Sequence, residues 1–145
     1  MIFHITLPGK PYPQPRIKVG RFGSYYPKGH TAKWQKSAEY LRVLADKQGW
    51  VKTDRPVQVT IDTVSKLPVK MHKRVVATGK RLYKPYRPDI DNYAKYVLDC
   101  ISKAGNIWVD DNQVVVLTLR DFYGLKDEAP YTAITIQPIE EQGIL

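Results

Sequence analysis

The spacing of apolar residues changes period along this chain, and that change is what most limits its possible folds. Trp34, Ala38, Leu41 and Ala45 recur every three or four residues, as do Ile90, Ala94, Val97, Leu98 and Ile101. Each set falls on one face of a helix. Between them, Val57, Val59, Ile61 and Thr63 alternate with Gln58, Thr60 and Asp62, the two-residue period of a half-buried strand. Thr31 is placed to cap a first helix running to about Lys47, which Gly49 stops. The strand is expected over 57–67, and Gly105 ends the second helix. Ile2 to Leu7 reads as an opening strand that ends at Pro8-Gly9, and Val114–Leu119 and Tyr131–Ile136 as two closing ones. The spacing of these last two, across Gly124-Leu125-Lys126-Asp127-Glu128, allows an antiparallel hairpin. The order β-α-β-α-β-β predicts an α+β fold, a small mixed sheet packed by two helices, as one domain spanning 1–145. The chain has no internal repeat.

Two segments interrupt this pattern. Residues 8–29 hold Pro8, Pro11, Pro13 and Pro15, then Gly20, Gly23, Pro27 and Gly29, which predicts a long loop. Its Tyr12, Phe22, Tyr25 and Tyr26 among lysines and arginines suit a nucleic-acid backbone and exposed bases. Anchoring of these rings on the core explains any one of them equally well. Residues 68–87 are basic, with a short helix expected over Val69–Ala77 and loop beyond it. Segments of this kind are often functional.

Charge is divided unevenly. The net charge is +9, yet no Asp or Glu precedes Glu39, while Lys10, Arg16, Lys18, Arg21, Lys28, Lys33 and Lys36 all do. A second acid-free stretch carries Lys66, Lys70, Lys73, Arg74, Lys80, Arg81, Lys84 and Arg87. Residues 1–87 hold 19 basic and 4 acidic side chains, and 88–145 hold 4 and 10. A single run of lysines usually means a solvated surface. Two acid-free stretches in one small chain favour a nucleic-acid partner. Membrane binding is disfavoured, because there is no basic helix with a strong apolar face and no apolar run long enough to span a bilayer. The single cysteine, Cys100, excludes an internal disulfide and a multi-cysteine zinc site. His4, His30 and His72 are scattered, which disfavours histidine-based metal chemistry. A soluble, cytoplasmic protein is expected.

Against that basic background, Arg87-Pro88-Asp89-Ile90-Asp91-Asn92 and then Asp110-Asp111 gather four carboxylates around one predicted helix. Mg²⁺ binds through one or two carboxylates and completes its shell with water and phosphate oxygens. Basic surface would deliver the phosphates. The combination reads as a metal-dependent nuclease. Taken singly, each residue has an ordinary reading. Asp91 suits a helix start, Asp110-Asp111-Asn112 a turn, and Lys95 a surface pair with Asp91 or Asp99.

Pro88-Asp89-Ile90-Asp91-Asn92, then Lys95, Leu98-Asp99 and Trp108-Val109-Asp110-Asp111-Asn112-Gln113-Val114-Val115 resemble the signature of the RusA family of Holliday junction resolvases, found in bacteria, phages and prophages. The likeness is strong over about 87–117 and weaker at Ile5-Thr6-Leu7-Pro8-Gly9. It implies a Mg²⁺-dependent endonuclease, with Mn²⁺ as a substitute, acting as a homodimer on four-way junction DNA in recombination and repair. Carried over by motif, Asp89, Asp91 and Asp111 would be the catalytic, metal-holding carboxylates and Lys95 the catalytic lysine. Asp110 and Asn92 would support them. Lys70, Lys73, Arg74, Lys80, Arg81, Lys84 and Arg87 are the expected DNA contacts. The basic segment before the acidic motif is longer than in the best-known members, which bears on sequence preference and DNA geometry. Two rival readings remain: a nucleic-acid-binding module without catalysis, and a metal-dependent nuclease specific for flaps or RNA.

Overall fold

The computed structural model describes residues 1–143. Its elements are β1 (Phe3–Pro8), β2 (Lys18–Gly20), β3 (Gly23–Tyr25), α1 (His30–Lys47), β4 (Val57–Ser65), α2 (His72–Thr78), α3 (Ile90–Ala104), β5 (Val114–Tyr123) and β6 (Tyr131–Pro138), with single 3₁₀ turns at Val69–Met71 and Asp111–Gln113. Four strands form the main sheet in the order β1-β6-β4-β5. The β1–β6 and β6–β4 pairs are antiparallel and β4–β5 is parallel, so the sheet is mixed as expected.

Alternation along the strands builds the core. Phe3 and Ile5 of β1, Val57, Val59 and Ile61 of β4, and Ile134 and Ile136 of β6 point to one face and are buried. There they meet Leu41 and Ala45 of α1 and Ala94, Val97, Cys100 and Ile101 of α3. Burial of so many apolar side chains, at about 25 cal/mol per Å² of apolar surface, is what fixes the helices to the sheet. α2 packs elsewhere, with Val75 against Leu67 and Tyr123. Among the described residues no helix is long and apolar enough to cross a membrane.

Three local expectations are corrected. Thr31 is not the cap of α1: the helix begins one residue earlier, behind Gly29 at φ 86°, with no side-chain cap. The loop 8–29 contains a two-stranded hairpin, β2–β3, separate from the main sheet. The expected hairpin of the two closing strands does not form, because β4 lies between β5 and β6 and pairs with both. The linker 124–130 instead carries the chain across the end of β4, where the Gly124 N–H donates to the Ser65 carbonyl at 2.8 Å. The most buried strand takes the central place, which conceals more apolar surface than a terminal hairpin would.

Candidate active site

α3 carries the acidic motif. Asp89 is its N-cap residue in extended conformation, and Asp91 lies in its first turn. The helix N-terminus holds partial positive charge and unpaired N–H groups, which favours ionised carboxylates there. Asp91, Lys95 and Asp99 follow at four-residue intervals along one face, so Asp99 lies about 12 Å further along the axis than Asp91. Asp91 and Lys95 are exposed and Asp99 is half-buried.

The second acidic group is anchored from the core. Trp108 is fully buried and its indole N–H donates to Ser102 Oγ at 3.0 Å. The following turn is a capping box: Asp110 Oδ1 accepts from the Asn112 N–H at 2.9 Å, and Gln113 Oε1 accepts from the Asp110 N–H at 2.9 Å. Gln113 also donates to the carbonyls of Thr53 and Arg55. Asp110 is thus committed to shaping the turn, and the Asn112 N–H and Asp111 hold its carboxyl below the ordinary carboxylate range. Asp111 is pushed up, first by its hydrogen bond with Asp110, then by burial and the charges of Asp110 and Asp99. Burial likewise raises Asp99.

Asp89 and Asp91 thus stand at the start of α3, and Asp99, further along the same helix, is near enough to Asp111 for its charge to raise that carboxyl. Among the described residues no three His, Cys, Asp or Glu side chains stand close enough to hold one ion between them. The expected cage of Asp89, Asp91 and Asp111 is not preassembled within the single chain, in keeping with the repulsion among three like charges. None of these carboxylates has a cationic partner within 4.0 Å among the described residues. In donor chemistry they suit a hard divalent cation, which needs only one or two carboxylates when phosphate supplies further oxygens.

The basic residues divide in the same way. Lys70, Lys73, Arg74, Lys80 and Arg87 are exposed and lack a carboxylate within 4.0 Å among the described residues, as a DNA-facing surface requires. Arg81 is instead paired with Glu128 at 2.6 Å. Lys84 is turned inward, contrary to its expected DNA contact. Its Nζ lies 3.6 Å from Asp121 Oδ2, and the two side chains are 9% and 8% exposed. It also donates to the carbonyls of Tyr86 and Arg87, at 3.3 and 3.2 Å. Asp121 Oδ1 accepts from Thr63 Oγ1 at 2.8 Å. Burial raises the Asp121 carboxyl, with Thr63 and Lys84 opposing.

Sequence reading missed this Thr63–Asp121–Lys84 network. Asp121 sits in an alternating strand and Lys84 in a run of surface-type lysines, and only the fold brings them together. Through Lys84 the network holds the backbone directly before Asp89. That backbone lines a cleft of about 530 Å³ with Tyr83, Tyr86, Arg87, Asp89 and Arg120 on its walls.

The sequence model described as endodeoxyribonuclease RusA matches residues 8–137. The chain belongs to the RusA family. It is accordingly an endodeoxyribonuclease of the Holliday junction resolvase type, and the reading as a binding module without catalysis falls away. RusA resolvases generally depend on a divalent metal, which agrees with the exposed hard-oxygen donors at the start of α3. No individual curated protein matches the chain.

Proposed function

We propose that this RusA-family chain acts throughout its length as one Mg²⁺-dependent endonuclease domain, with Mn²⁺ able to substitute. As a homodimer it resolves four-way DNA junctions in recombination and repair by paired, symmetric phosphodiester cuts. The observation that carries the reading is the N-terminal end of α3, where Asp89, Asp91 and Lys95 stand without ion-pair partners among the described residues, beside an exposed basic segment. Asp89, Asp91 and Asp111 would hold the cation. When bound, it lowers the pKa of water and withdraws charge from phosphoryl oxygens.

The chain's own residues do the remaining work. Lys70, Lys73, Arg74, Lys80 and Arg87 draw in the backbone. Lys95 places a cation where negative charge grows on the scissile phosphate. Asp110 and Gln113 fix the turn that presents Asp111, and Asn92 steadies the first turn of α3. Its carbonyl accepts from the Gln14 N–H at 2.9 Å.

A cleavage assay with Mg²⁺ on duplex, flap, RNA and four-way substrates tests the reading. The parent should cut the four-way junction in preference to the others. Asn at 89, 91 or 111 should reduce cleavage by at least a hundred-fold while junction binding persists, since the basic surface is untouched. Near-parental cleavage in all three variants would sink the site assignment, and preference for flaps or RNA would sink the junction assignment.

A further inference from the structure

We propose that the β2–β3 hairpin is a base-stacking probe, with Phe22 at its tip taking an unstacked base at the branch point of the DNA. This rests on the reading of the protein as a junction nuclease and adds a binding element to it.

The hairpin is short and stands apart. Lys18 pairs with Tyr25, Val19 with Ser24 and Gly20 with Gly23, leaving Arg21 and Phe22 as the two-residue tip. Gly23 has φ 113°, a conformation that L side chains rarely adopt. Phe22 is 97% exposed and Val19 83%. Isolated exposed apolar residues are common, but this phenylalanine, turned almost wholly to water at a hairpin tip, has no apolar packing partner among the described residues. The Arg21 guanidinium lies 5.7 Å from the centre of its ring.

Charge identifies the partner. Arg16, Lys18, Arg21 and Lys28 flank the tip in sequence, and no acidic residue precedes Glu39. An apolar protein surface would leave that charge without a counterpart. A polyanion that also offers flat apolar rings meets both features at once. Single-stranded and unstacked bases do so through aromatic stacking beside cationic backbone contacts, and apolar wedges are inserted between base steps where the duplex is deformed.

Position agrees. The segment leading into β2 is tied to the catalytic helix by the Gln14 N–H to the Asn92 carbonyl, 2.9 Å, and by Tyr12, whose ring meets Tyr96 edge-on at 4.6 Å. Beyond the hairpin, Tyr26 packs on His30 at 4.5 Å. Both ends are therefore fastened to the body, one of them beside the first turn of α3. Eight residues separate Gln14 from Phe22, so the tip lies no more than about 29 Å from that fastening. That corresponds to roughly eight base steps along one strand. A tip held within this distance can engage the branch point while the acidic site holds a nearby phosphate.

The test uses the full chain in EDTA with four-way junctions carrying 2-aminopurine at single branch-point positions, and a matched duplex. The parent should raise the fluorescence at one or more branch positions and leave the duplex signal unchanged. Phe22→Ala should abolish the rise and weaken junction binding roughly ten-fold or more, with duplex binding within two-fold. Phe22→Trp should restore both. The proposal is overturned if Phe22→Ala keeps the fluorescence rise, if it weakens duplex and junction alike, or if it changes the oligomeric state instead. A parent that fails to cut four-way DNA in Mg²⁺ defeats the nuclease reading separately. The fluorescence comparison between parent and Phe22→Ala still decides the role of the hairpin.

Discussion

A lysine between two aspartates on a helix face either pairs with them or serves something beyond the helix. Lys95 has no carboxylate within 4.0 Å among the described residues, although Asp91 and Asp99 flank it at helical spacing. If it stabilises charge that develops in the transition state, Lys95→Ala should slow single-turnover cleavage of a saturated complex about a hundred-fold and change binding little. As a surface lysine it would contribute only a few tenths of a kcal/mol to stability, and the single-turnover rate would stay at the parental value. Lys84 makes the opposite case. Lys84→Met leaves Asp121 buried without its cation and should cost on the order of 3 kcal/mol. Adding Asp121→Asn should recover much of that stability in denaturant titrations. Cleavage should stay low, because the carbonyls of Tyr86 and Arg87 remain unheld before Asp89. Asp121 also gives a pH signature. Burial raises its folded pKa above the unfolded value, so its contribution is fully present below the ordinary carboxylate pKa. It is lost as pH rises through the raised folded value. The Tm of Asp121→Asn relative to the parent should therefore improve as pH rises through that window, and a pH-independent difference would refute the raised carboxyl. The placement of Asp89, Asp91 and Lys95 at one helix start was legible in the sequence, because it follows from the local apolar spacing of α3. Asp121, Lys84 and Thr63 were not, because a buried ion pair between residues far apart in sequence leaves no periodic trace.

The α2 segment allows exposed and paired cations to be separated by experiment. Lys73 and Arg74 lie on its outer side, while Arg81, beyond Gly79, is occupied by Glu128. Removing the charge of Lys73 and Arg74 together should lower affinity for junction and duplex alike and flatten the dependence of log K on log salt by about two units. Arg81→Ala should leave the slope nearer the parental value and show its effect in stability. Equal slopes for all three proteins would mean that the α2 surface does not meet DNA. The helices were legible as elements because apolar stripes report burial directly, and the breaks at Gly49, Gly79 and Gly105 follow from the left-handed backbone each adopts. The pairing of β5 was not legible. Val114, Val116 and Thr118 alternate equally well beside β4 or β6, and a seven-residue linker crosses one strand as readily as it turns a hairpin. Register follows burial in three dimensions, which one-dimensional alternation underdetermines. Within the Pro- and Gly-rich segment the hairpin was hidden for another reason: three-residue strands exposed on both faces carry no alternation to detect.

At the scale of the whole molecule, the sheet ends in an edge that is only half covered. The far half of β5 is shielded, with the Lys84 N–H donating to the Asp121 carbonyl and the Tyr123 N–H to the Leu82 carbonyl. Its near half pairs with β4 alone among the described residues and exposes Val115, Val116 and Leu117. An open apolar edge of this kind invites pairing with another chain. It begins directly after the Asp110–Asp111 turn, so a twofold partner seated there would bring two acidic sites into a fixed relation. The substrate makes the same demand: a four-way junction has approximate twofold symmetry, and one acidic site makes one cut per visit. In a dimer the second cut becomes an event within one complex, at high effective concentration. Mixed dimers of parental and Asp91→Asn subunits should therefore nick a junction once and rarely release resolved duplexes, whereas parental dimers release them in paired steps. A supercoiled cruciform plasmid reads this directly, since single nicks give relaxed circles and paired cuts give linear DNA. Efficient linear product from the mixed dimers, or from a protein that sediments as a monomer on the junction, would defeat the dimer and leave β5 an ordinary exposed edge.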